Sequence, residues 1–216
     1  QVSNQSFDIC AQTYINATGA WAGHVSALAG IPIEMVFSKG TLLVTSNRLA
    51  RKVINRLRKP TDADILVPGG VVSILGTTSL RIVSPDNIYP TVKEVDHLIH
   101  EGEKMIPCLK TCRYVRAYSG VRPLISSGRE EDREVSRGYT LIDHEKDGVD
   151  NLITIAGGKL STYRLMAEKT CDLVCAKHQI TAPCRTHVIA LPASRSGDWS
   201  ESGVAVGGFP DTKKKL

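Results

Sequence analysis

Short runs of apolar and β-branched residues, separated by glycine, proline and charged residues, recur along the 216-residue chain and predict strands. The clearest case is Ala63–Ser79 (ADILVPGGVVSILGTTS), where two such runs flank a Pro-Gly-Gly segment and predict a hairpin. Met35–Val44 predicts strands that are broken at Lys39-Gly40. Further strands are predicted at Phe7–Ile15, Cys112–Leu124, Tyr139–Ile142 and Leu152–Ile155.

Helical spacing of apolar residues marks two longer segments. The first, Val92–Ile106, is predicted to be an amphipathic helix that ends before Pro107. The second follows Gly158 and carries an apolar stripe that we expect to pack onto a sheet. The apolar positions are Val92, Val95, Leu98 and Ile99 in the first helix, and Tyr163, Met166, Ala167, Thr170 and Val174 in the second.

Glycine and proline place the remaining boundaries. In "NATGAW", which follows the first predicted strand, Gly19 can take a positive φ or allow a close backbone approach. A helix over about Trp21–Ala29 should follow and stop at Gly30. Ser126–Ser136 is polar and charged, and it predicts a surface loop. Beyond Pro192 the chain becomes poor in apolar residues and ends in DTKKKL, which is typical of a disordered tail.

The composition is that of an ordinary globular protein, with 42% apolar and 23% charged residues and a formal net charge of +5. No apolar run approaches the roughly 20 residues that cross a bilayer. Six of the 27 basic residues fall within Arg48–Lys59. No recognition motif or interleaved aromatic residues accompany them, so a solvated cationic edge is favoured over a nucleic-acid or membrane-surface site.

The six cysteines include two pairs with C-x₃-C spacing, Cys108 with Cys112 and Cys171 with Cys175. Zinc and iron–sulfur sites usually have tighter pairs and further ligands. We therefore interpret the cysteines as free thiols in a reducing compartment. The six histidines form no metal-like cluster in the sequence, and no metal is assigned.

The segment NLITIAGGKLSTYRLMAEKT (Asn151–Thr170) runs from a predicted strand through Gly157, Gly158 and Lys159 into a helix. Such a junction offers backbone N–H groups at the positive end of a helix dipole, and Lys159 adds a full charge. The site suits an anion, or an electron-rich ring that becomes negative during a reaction. For this motif alone, the alternative is favoured: the glycines only allow close packing, and Lys159 faces solvent.

Two arginines favour an anion-binding site over this purely structural interpretation. Arg122 in YSGVRPL and Arg137 in SRGYTLIDHE each stand beside glycine or proline in an otherwise apolar context. Two guanidinium groups and a lysine make a good phosphate or carboxylate clamp, because guanidinium binds these oxyanions bidentately. We expect Arg122, Arg137 and Lys159 at strand ends on one rim of a sheet, beside Gly120, Gly138 and Gly158.

Six motifs in order then resemble one family. They are INATGAWA, KGTLLV, ILGTTS, YSGVRPL, SRGYTL and GGKLSTYRLMAE, and together they are similar to the FAD-dependent glycerol-3-phosphate dehydrogenases. The segment VINRLRKPTDADILVPGG narrows the resemblance to the FAD-dependent subunit of the anaerobic, quinone-linked members. It covers about Ile9 to Pro192, nearly the whole chain.

Two regions of that family are absent from this sequence: the G-x-G-x-x-G dinucleotide-binding motif and the cysteine-rich C-terminal region. We therefore expect the chain to be a central fragment of a longer protein. Because most FAD anchoring in this family comes through the pyrophosphate, which binds at that missing motif, the chain alone is expected to purify colourless, to bind added FAD poorly and to be inactive.

The implied fold is α+β, with a mixed or antiparallel substrate-binding sheet joined to part of an α/β FAD-binding domain like that of D-amino-acid oxidase. The expected divisions are residues 1–30 and 123–192 for the FAD-binding domain, residues 31–122 for the substrate-binding domain, and residues 193–216 for a linker or tail.

The resemblance implies an activity. The family oxidises sn-glycerol 3-phosphate to dihydroxyacetone phosphate with FAD, and the electrons pass to quinone through partner subunits of a membrane-associated complex on the cytoplasmic face of the inner membrane. Carried over by motif, Arg122 would contact the substrate, Arg137 would hold its phosphate, and Lys159 would lie near the substrate oxygen.

The cofactor-binding residues are implied in the same way. Gly157 and Gly158 would let the backbone meet the flavin ring, with Lys159 near it, and Thr18 and Gly19 of NATG would line the FAD on the other side. Lys159 and Arg122 are thus the implied catalytic residues.

One position departs from the family pattern. Single-subunit aerobic relatives read KGSH, with a histidine that can act as a base, whereas this chain has Leu42 there. Either Lys159, if burial keeps it uncharged, or water accepts the hydroxyl proton, or the step proceeds differently. Two other functions remain open: an amine or amino-acid oxidase of the same fold, and a non-catalytic anion-binding or subunit-docking module.

Overall fold

A computed structural model describes residues 8–125 and 138–189 of the chain. Within these ranges it contains nine strands and three α-helices. The chain divides into two compact units, Gln1–Met166 and Ala167–Leu216. Both β-sheets lie in the first unit.

The larger sheet has six strands built around one long central strand. The strands are β2 (Met35–Thr45), β3 (Ile54–Asn55), β4 (Ile65–Gly69), β5 (Val72–Gly76), β6 (Leu80–Ile82) and β7 (Tyr114–Ile125). Strand β7 pairs antiparallel along the whole of β2. Strands β5 and β6 pair with successive parts of the other edge of β2, and β4 and β3 extend the sheet from β5.

The predicted break in Met35–Val44 is wrong, because β2 is continuous over eleven residues. Gly40 is not a turn residue but lies in the sheet opposite Gly120 of β7. A Cβ atom built at Gly40 would lie 2.5 Å from a guanidinium nitrogen of Arg122 and 2.7 Å from Oγ1 of Thr77. Glycine is therefore placed here to make room for a neighbouring side chain.

The hairpin predicted over Ala63–Ser79 is confirmed as β4 and β5, with its turn one residue later than expected. Pro68 lies within β4 opposite Ser73, and Gly70 and Val71 form the two-residue loop. Gly70 has a φ of +61°, which is the conformation that two-residue hairpin loops require.

The smaller sheet has three strands: β1 (Tyr14–Asn16), β8 (Tyr139–Asp143) and β9 (Leu152–Gly157). Strand β9 is central; it pairs parallel with β1 and antiparallel with β8. Residues before and after the six-stranded sheet thus come together in one mixed sheet. The predicted strands agree with β8 and β9, whereas β1 is shorter than the predicted Phe7–Ile15.

The α-helices are α1 (Ala22–Leu28), α2 (Val92–Glu103) and α3 (Tyr163–Lys177). Short 3-10 helices occupy Gly19–Trp21, Pro107–Lys110, His144–Asp147 and Leu160–Thr162. Among the residues that the structure describes, no helix is both long and apolar enough to cross a membrane.

Helix α2 begins with a capping box, in which Thr91 and Glu94 bond to each other's backbone N–H groups. Its apolar face is narrower than predicted, because Val92 is 78% exposed while Leu98 is fully buried. The main apolar core of the six-stranded sheet lies under this helix. It consists of Leu43, Ala63, Leu66, Leu75, Leu98 and Leu109.

Helix α3 starts at Tyr163, after the 3-10 turn Leu160–Thr162. The predicted apolar stripe is not a continuous buried face, because Tyr163 is 66% exposed and Ala167 is exposed. The second unit contains the C-terminal part of this helix, where Lys169 pairs with Asp172 at 3.1 Å. The predicted loop Ser126–Ser136 and the tail beyond Pro192 lie outside the described residues. The α+β fold class itself is confirmed.

Candidate functional site

The C-terminal ends of β1 and β9 form one edge of the three-stranded sheet. The two strands are parallel, and Asn16 lies opposite Thr154. Thr18 and Gly19 follow β1, while Gly157 is the last residue of β9. Because parallel neighbours end at the same edge, the structure brings all five predicted cofactor-binding residues to that edge; they are Thr18, Gly19, Gly157, Gly158 and Lys159.

The structural constraints that favour glycine differ among the three glycines at this edge. Gly19, with a φ of +61°, has no described atom within 4 Å of a built Cβ, so its backbone borders open space. Gly157 and Gly158 have φ values of +81° and +79°. A Cβ at Gly157 would lie 2.7 Å from the carbonyl oxygen of Gly138, and one at Gly158 would lie 2.6 Å from Sδ of Met166. Both glycines of GGK are therefore required by conformation and close packing.

Lys159 is exposed and follows these glycines directly. Its backbone is fixed, because its N–H donates to Oγ1 of Thr162 at 3.1 Å and its carbonyl accepts from the same hydroxyl at 2.8 Å. Within the part of the chain that the structure describes, no acceptor pairs with its Nζ. A cation on a fixed backbone at this edge can bind an anionic group.

Arg122 lies inside β7 in the six-stranded sheet, so its expected place at a strand end is wrong. It is half-buried, and its guanidinium packs over Gly40. The group donates from Nη2 to Oγ1 of Thr77 at 3.2 Å and from Nη1 to the carbonyl of Thr78 at 3.4 Å. These contacts hold the arginine fork in a defined orientation on the sheet face.

A buried polar network holds Thr78, one of the residues that contact Arg122. Thr78 exchanges hydrogen bonds with Thr41 of β2, since its hydroxyl accepts from the Thr41 N–H at 2.9 Å and its N–H donates to the Thr41 carbonyl at 3.3 Å. The Thr41 hydroxyl donates to Glu94 at 2.7 Å. Lys39 donates to the other oxygen of Glu94 at 2.7 Å. Helix α2 is thereby linked to the position of Arg122.

Lys39 and Glu94 form an ion pair that is almost inaccessible to water. Lys39 is 8% and Glu94 5% exposed. Burial alone would raise the pKa of Glu94, but hydrogen bonds from Lys39, Thr41 and Thr91 outweigh it and lower that pKa to about 2. The carboxylate therefore stays ionised at all ordinary pH values.

Strand β7 connects the two parts of the candidate site. Cα atoms of β7 come within 8 Å of both β9 and the 3-10 helix Gly19–Trp21, which also contact each other. The strand that carries Arg122 is therefore adjacent to both segments that are predicted to bind the cofactor. Arg137 lies outside the described residues. Leu42 is half-buried on the same sheet face as Gly40 and offers no proton acceptor.

The basic segment Arg48–Lys59 is largely engaged with the protein itself. Arg48 donates to the carbonyl groups of Ala50, Arg51 and Gly70. Arg56 and Arg58 form ion pairs with Asp64 and Glu101. Arg56 and Arg58 are thus neutralised within the protein, so the segment is less cationic than its composition suggests.

The sequence interpretation missed two buried polar groups. The Lys39–Glu94 pair was detectable in part, because Thr91-x-x-Glu94 is a capping-box pattern. The second group is His144, which is 1% exposed and bonded to Asp147 and Thr154. Nothing in the local sequence distinguishes a buried histidine from an exposed one. No group of three potential metal ligands occurs among residues 8–125 and 138–189.

Comparison with known proteins gives one family and several relatives at high identity. Residues 1–173 match the model of the family described as FAD dependent oxidoreductase. An anaerobic glycerol-3-phosphate dehydrogenase subunit from Escherichia coli (strain K12) is 51% identical over 189 residues, which cover 86% of this chain and 35% of that protein. The chain thus spans about a third of the length of the curated relatives it matches.

Solved structures show the same fold. The glycerol-3-phosphate dehydrogenase from Bacillus halodurans, solved with FAD, superposes with a TM-score of 0.64 at 26% identity, and the match covers 82% of this chain and 34% of that one. A glycine oxidase from Geobacillus kaustophilus gives a TM-score of 0.58 at 18% identity over 80% of this chain and 43% of its own. At that identity the glycine oxidase shares the fold alone.

Proposed function

The chain belongs to the family of FAD-dependent oxidoreductases, and on that premise we propose that its protein oxidises sn-glycerol 3-phosphate to dihydroxyacetone phosphate. One observation carries the proposal: β7, the strand that holds Arg122, contacts both β9 and the 3-10 helix Gly19–Trp21, which flank the predicted cofactor-binding edge. An oriented guanidinium on β7 and an exposed lysine just after β9 would together suit a phosphate ester. The named relative from Escherichia coli supports this choice of substrate.

The residues present fit the cofactor of this family. Gly19 borders open space, so a flat group can approach its backbone. The paired glycines 157 and 158 leave no side chain at the end of β9, and Lys159 presents an exposed cation there. Thr18, Gly19, Gly157, Gly158 and Lys159 would hold FAD. When bound, FAD supplies the acceptor for the hydride from the substrate carbon.

The protein's own contribution is to bind and orient the substrate. Arg122 would hold one end of the glycerol phosphate, because Thr77 and Thr78 fix its guanidinium. Arg137 would bind the phosphate, as its motif implies. Lys159 would neutralise negative charge that develops at the reacting oxygen, and because Lys159 is an exposed cation, water would take the hydroxyl proton.

We further propose the finer assignments. Residues 31–122 would form the substrate-binding domain, residues 1–30 and 123–192 would belong to the FAD-binding domain, and residues 193–216 would be a linker. At the cytoplasmic face of a membrane, electrons would pass to quinone through partner subunits. The relative from Escherichia coli, which is named as one subunit of an enzyme, supports an assembly with other chains.

A reduction assay tests this function directly. The protein at its full natural length should carry FAD and show bleaching of the flavin absorbance on addition of glycerol 3-phosphate. Glycine and proline serve as control substrates, because reduction by either of them instead would indicate an amino-acid oxidase. An absence of flavin would favour a non-catalytic anion-binding module.

Substitution of Arg122 tests the substrate clamp. A charge-assisted bond to a buried phosphate contributes about 1.5–3 kcal/mol. Arg122→Ala should therefore raise KM for glycerol 3-phosphate by about 10- to 150-fold, and Arg122→Lys should restore part of the loss because it keeps the charge without the fork. Arg58→Ala, which removes the ion pairs to Asp64 and Glu101 in the segment after β3, is the control. Equal KM values in all three variants would remove Arg122 from the site.

Lys159→Met should act on a different kinetic constant. Its charge is expected to matter most as negative charge develops in the transition state, so kcat should fall by about 10-fold or more with little change in KM. Steady-state kinetics of Lys159→Met and Lys159→Arg separate charge from shape. A rise in KM alone would show that Lys159 binds the substrate in its ground state instead.

A further inference from the structure

A row of buried polar side chains crosses the three-stranded sheet beneath the candidate cofactor edge. Asn16 of β1, Thr154 of β9 and His144, which follows β8, are 3%, 0% and 1% exposed. Each comes from a different strand or strand end. Nothing in the proposed chemistry uses them. Buried polar groups cost free energy unless they are bonded, so the bonds of this row need an explanation.

The bonds are continuous from one end of the row to the other. Asn16 Nδ2 donates to Thr154 Oγ1 at 3.3 Å. Thr154 Oγ1 lies 2.8 Å from His144 Nε2. His144 Nδ1 lies 2.7 Å from Oδ2 of Asp147, whose side chain is 46% exposed. The row therefore runs from a solvated carboxylate to a buried amide.

The other end of the row holds the turn that follows β1. Oδ1 of Asn16 accepts from the hydroxyl of Thr18 at 2.6 Å and from its N–H at 3.4 Å. Nδ2 of Asn16 also donates to the carbonyl of Ala22 at 2.8 Å. A single side chain thus bonds to both sides of the segment that contains Gly19. The shape of this turn depends on the orientation of the Asn16 amide.

The donors and acceptors of the row admit one consistent direction for a neutral imidazole. An ionised carboxylate only accepts, so His144 Nδ1 carries the proton that it donates to Asp147. Nε2 then accepts from the Thr154 hydroxyl, which leaves Thr154 Oγ1 to accept from Asn16 Nδ2. The Asn16 amide is therefore fixed with its NH₂ toward Thr154 and its oxygen toward Thr18.

We propose that His144 and Asp147 are positioning residues for the Thr18–Gly19 turn, and that they act through Thr154 and Asn16 to hold this turn in the shape that the flavin dinucleotide requires. The inference rests on the proposed function, because it takes the turn to be part of the FAD site. It adds to that function a buried relay of side chains that do not themselves contact cofactor or substrate.

Thr154 is the point at which the relay can be broken with least change in shape. Thr154→Val removes both its hydrogen bonds, and Thr154→Ser keeps the hydroxyl. Thr45→Val is the matched control, since Thr45 is also fully buried and bonded, but to Asn47 and Ser73 in the other sheet. All three are made in the protein at its full natural length. The Kd of the apoprotein for FAD is measured by flavin fluorescence, beside urea unfolding of the apoprotein.

Thr154→Val should raise the Kd for FAD by about 10-fold, while Thr154→Ser and Thr45→Val should change it by less than about 2-fold. Asp147→Ala, at a half-exposed side chain that should not impair folding, is expected to raise Kd by about 3-fold. If Thr154→Val and Thr45→Val lose stability equally and neither changes Kd, the row is merely structural and the inference is wrong.

The wild-type protein separates this inference from the proposed function. Wild-type protein that binds no FAD overturns both. Wild-type protein that binds FAD and is reduced by glycerol 3-phosphate, together with unchanged Kd values in Thr154→Val and Asp147→Ala, overturns the relay alone. Should Thr154→Val not fold, Asp147→Ala decides the result by itself.

Discussion

Replacing Glu94 with alanine is expected to lower the free energy of unfolding by about 3–5 kcal/mol, because it leaves the ammonium group of Lys39 buried without a counter-charge. The same change removes the acceptor for the Thr41 hydroxyl and opens the capping box of α2. Urea unfolding of the protein measures the loss. A cost below about 1 kcal/mol would mean that water reaches this pair.

A double variant provides the control. Glu94→Gln removes the charge but keeps the shape, so it should destabilise the protein as well. Adding Lys39→Met to Glu94→Gln removes the unpaired cation and should recover part of that loss, since an apolar replacement of a buried pair is often neutral. If the double variant is less stable than Glu94→Gln, the pair contributes something other than charge compensation.

The acid dependence of stability checks the same pair independently. The pKa of Glu94 is lowered from its ordinary value of 4.5 to about 2 in the folded protein. Its contribution, on the order of 3 kcal/mol, is therefore fully present above pH 4.5 and is lost as the pH falls from 4.5 toward 2. Glu94→Gln should flatten the stability profile across this range and leave its slope near neutral pH unchanged.

Gly157→Ala is expected to have the second largest effect, a loss of about 2–4 kcal/mol in the free energy of unfolding. A φ of +81° alone strains an alanine. In addition, its Cβ would lie 2.7 Å from the carbonyl oxygen of Gly138. That carbonyl accepts from the N–H of Gly158 at 2.9 Å, so moving it also breaks a bond.

The variant Gly70→Ala separates the free-energy cost of backbone strain from the cost of a steric clash. Gly70 also has a positive φ, +61°, but no described atom lies within 4 Å of its built Cβ. Gly70→Ala should therefore lose only the conformational part, about 1–2 kcal/mol. Chemical denaturation of both variants under the same conditions gives the difference. Equal losses of unfolding free energy in the two variants would indicate that the backbone near Gly138 moves aside without a free-energy penalty.

The elements that local sequence decides were predicted well. The β4–β5 hairpin and helix α2 follow from turn residues, capping residues and apolar spacing that lie within about 15 positions of each other. The resemblance to the FAD-dependent glycerol-3-phosphate dehydrogenases is confirmed by relatives at high identity. Prediction from local patterns fails where the identity of a residue is determined by a partner that is distant in the sequence. Gly40 was interpreted as a break because the arginine that requires it, Arg122, is far away along the chain.

The candidate site also contains residues that local sequence predicts and residues whose position depends on distant strand pairing. Gly157, Gly158 and Lys159 are contiguous, so their common place was visible in the sequence. The place of Arg122 inside β7 depends on the register of β7 against β2, which no local pattern encodes. The His144–Thr154–Asn16 row joins β1, β9 and the 3-10 helix that follows β8, and its members only become buried partners when the sheet is complete.

The separation of β1 from β9 has a kinetic consequence. Asn16 and Thr154 are 138 positions apart, whereas Val67 and Ile74 pair within the β4–β5 hairpin. By loop-closure entropy the first contact costs about 3 kcal/mol more than the second. We therefore expect the hairpin to form before the edge that β1 and β9 make. During synthesis, β1 cannot pair with β9 until the ribosome has released the chain beyond Thr154.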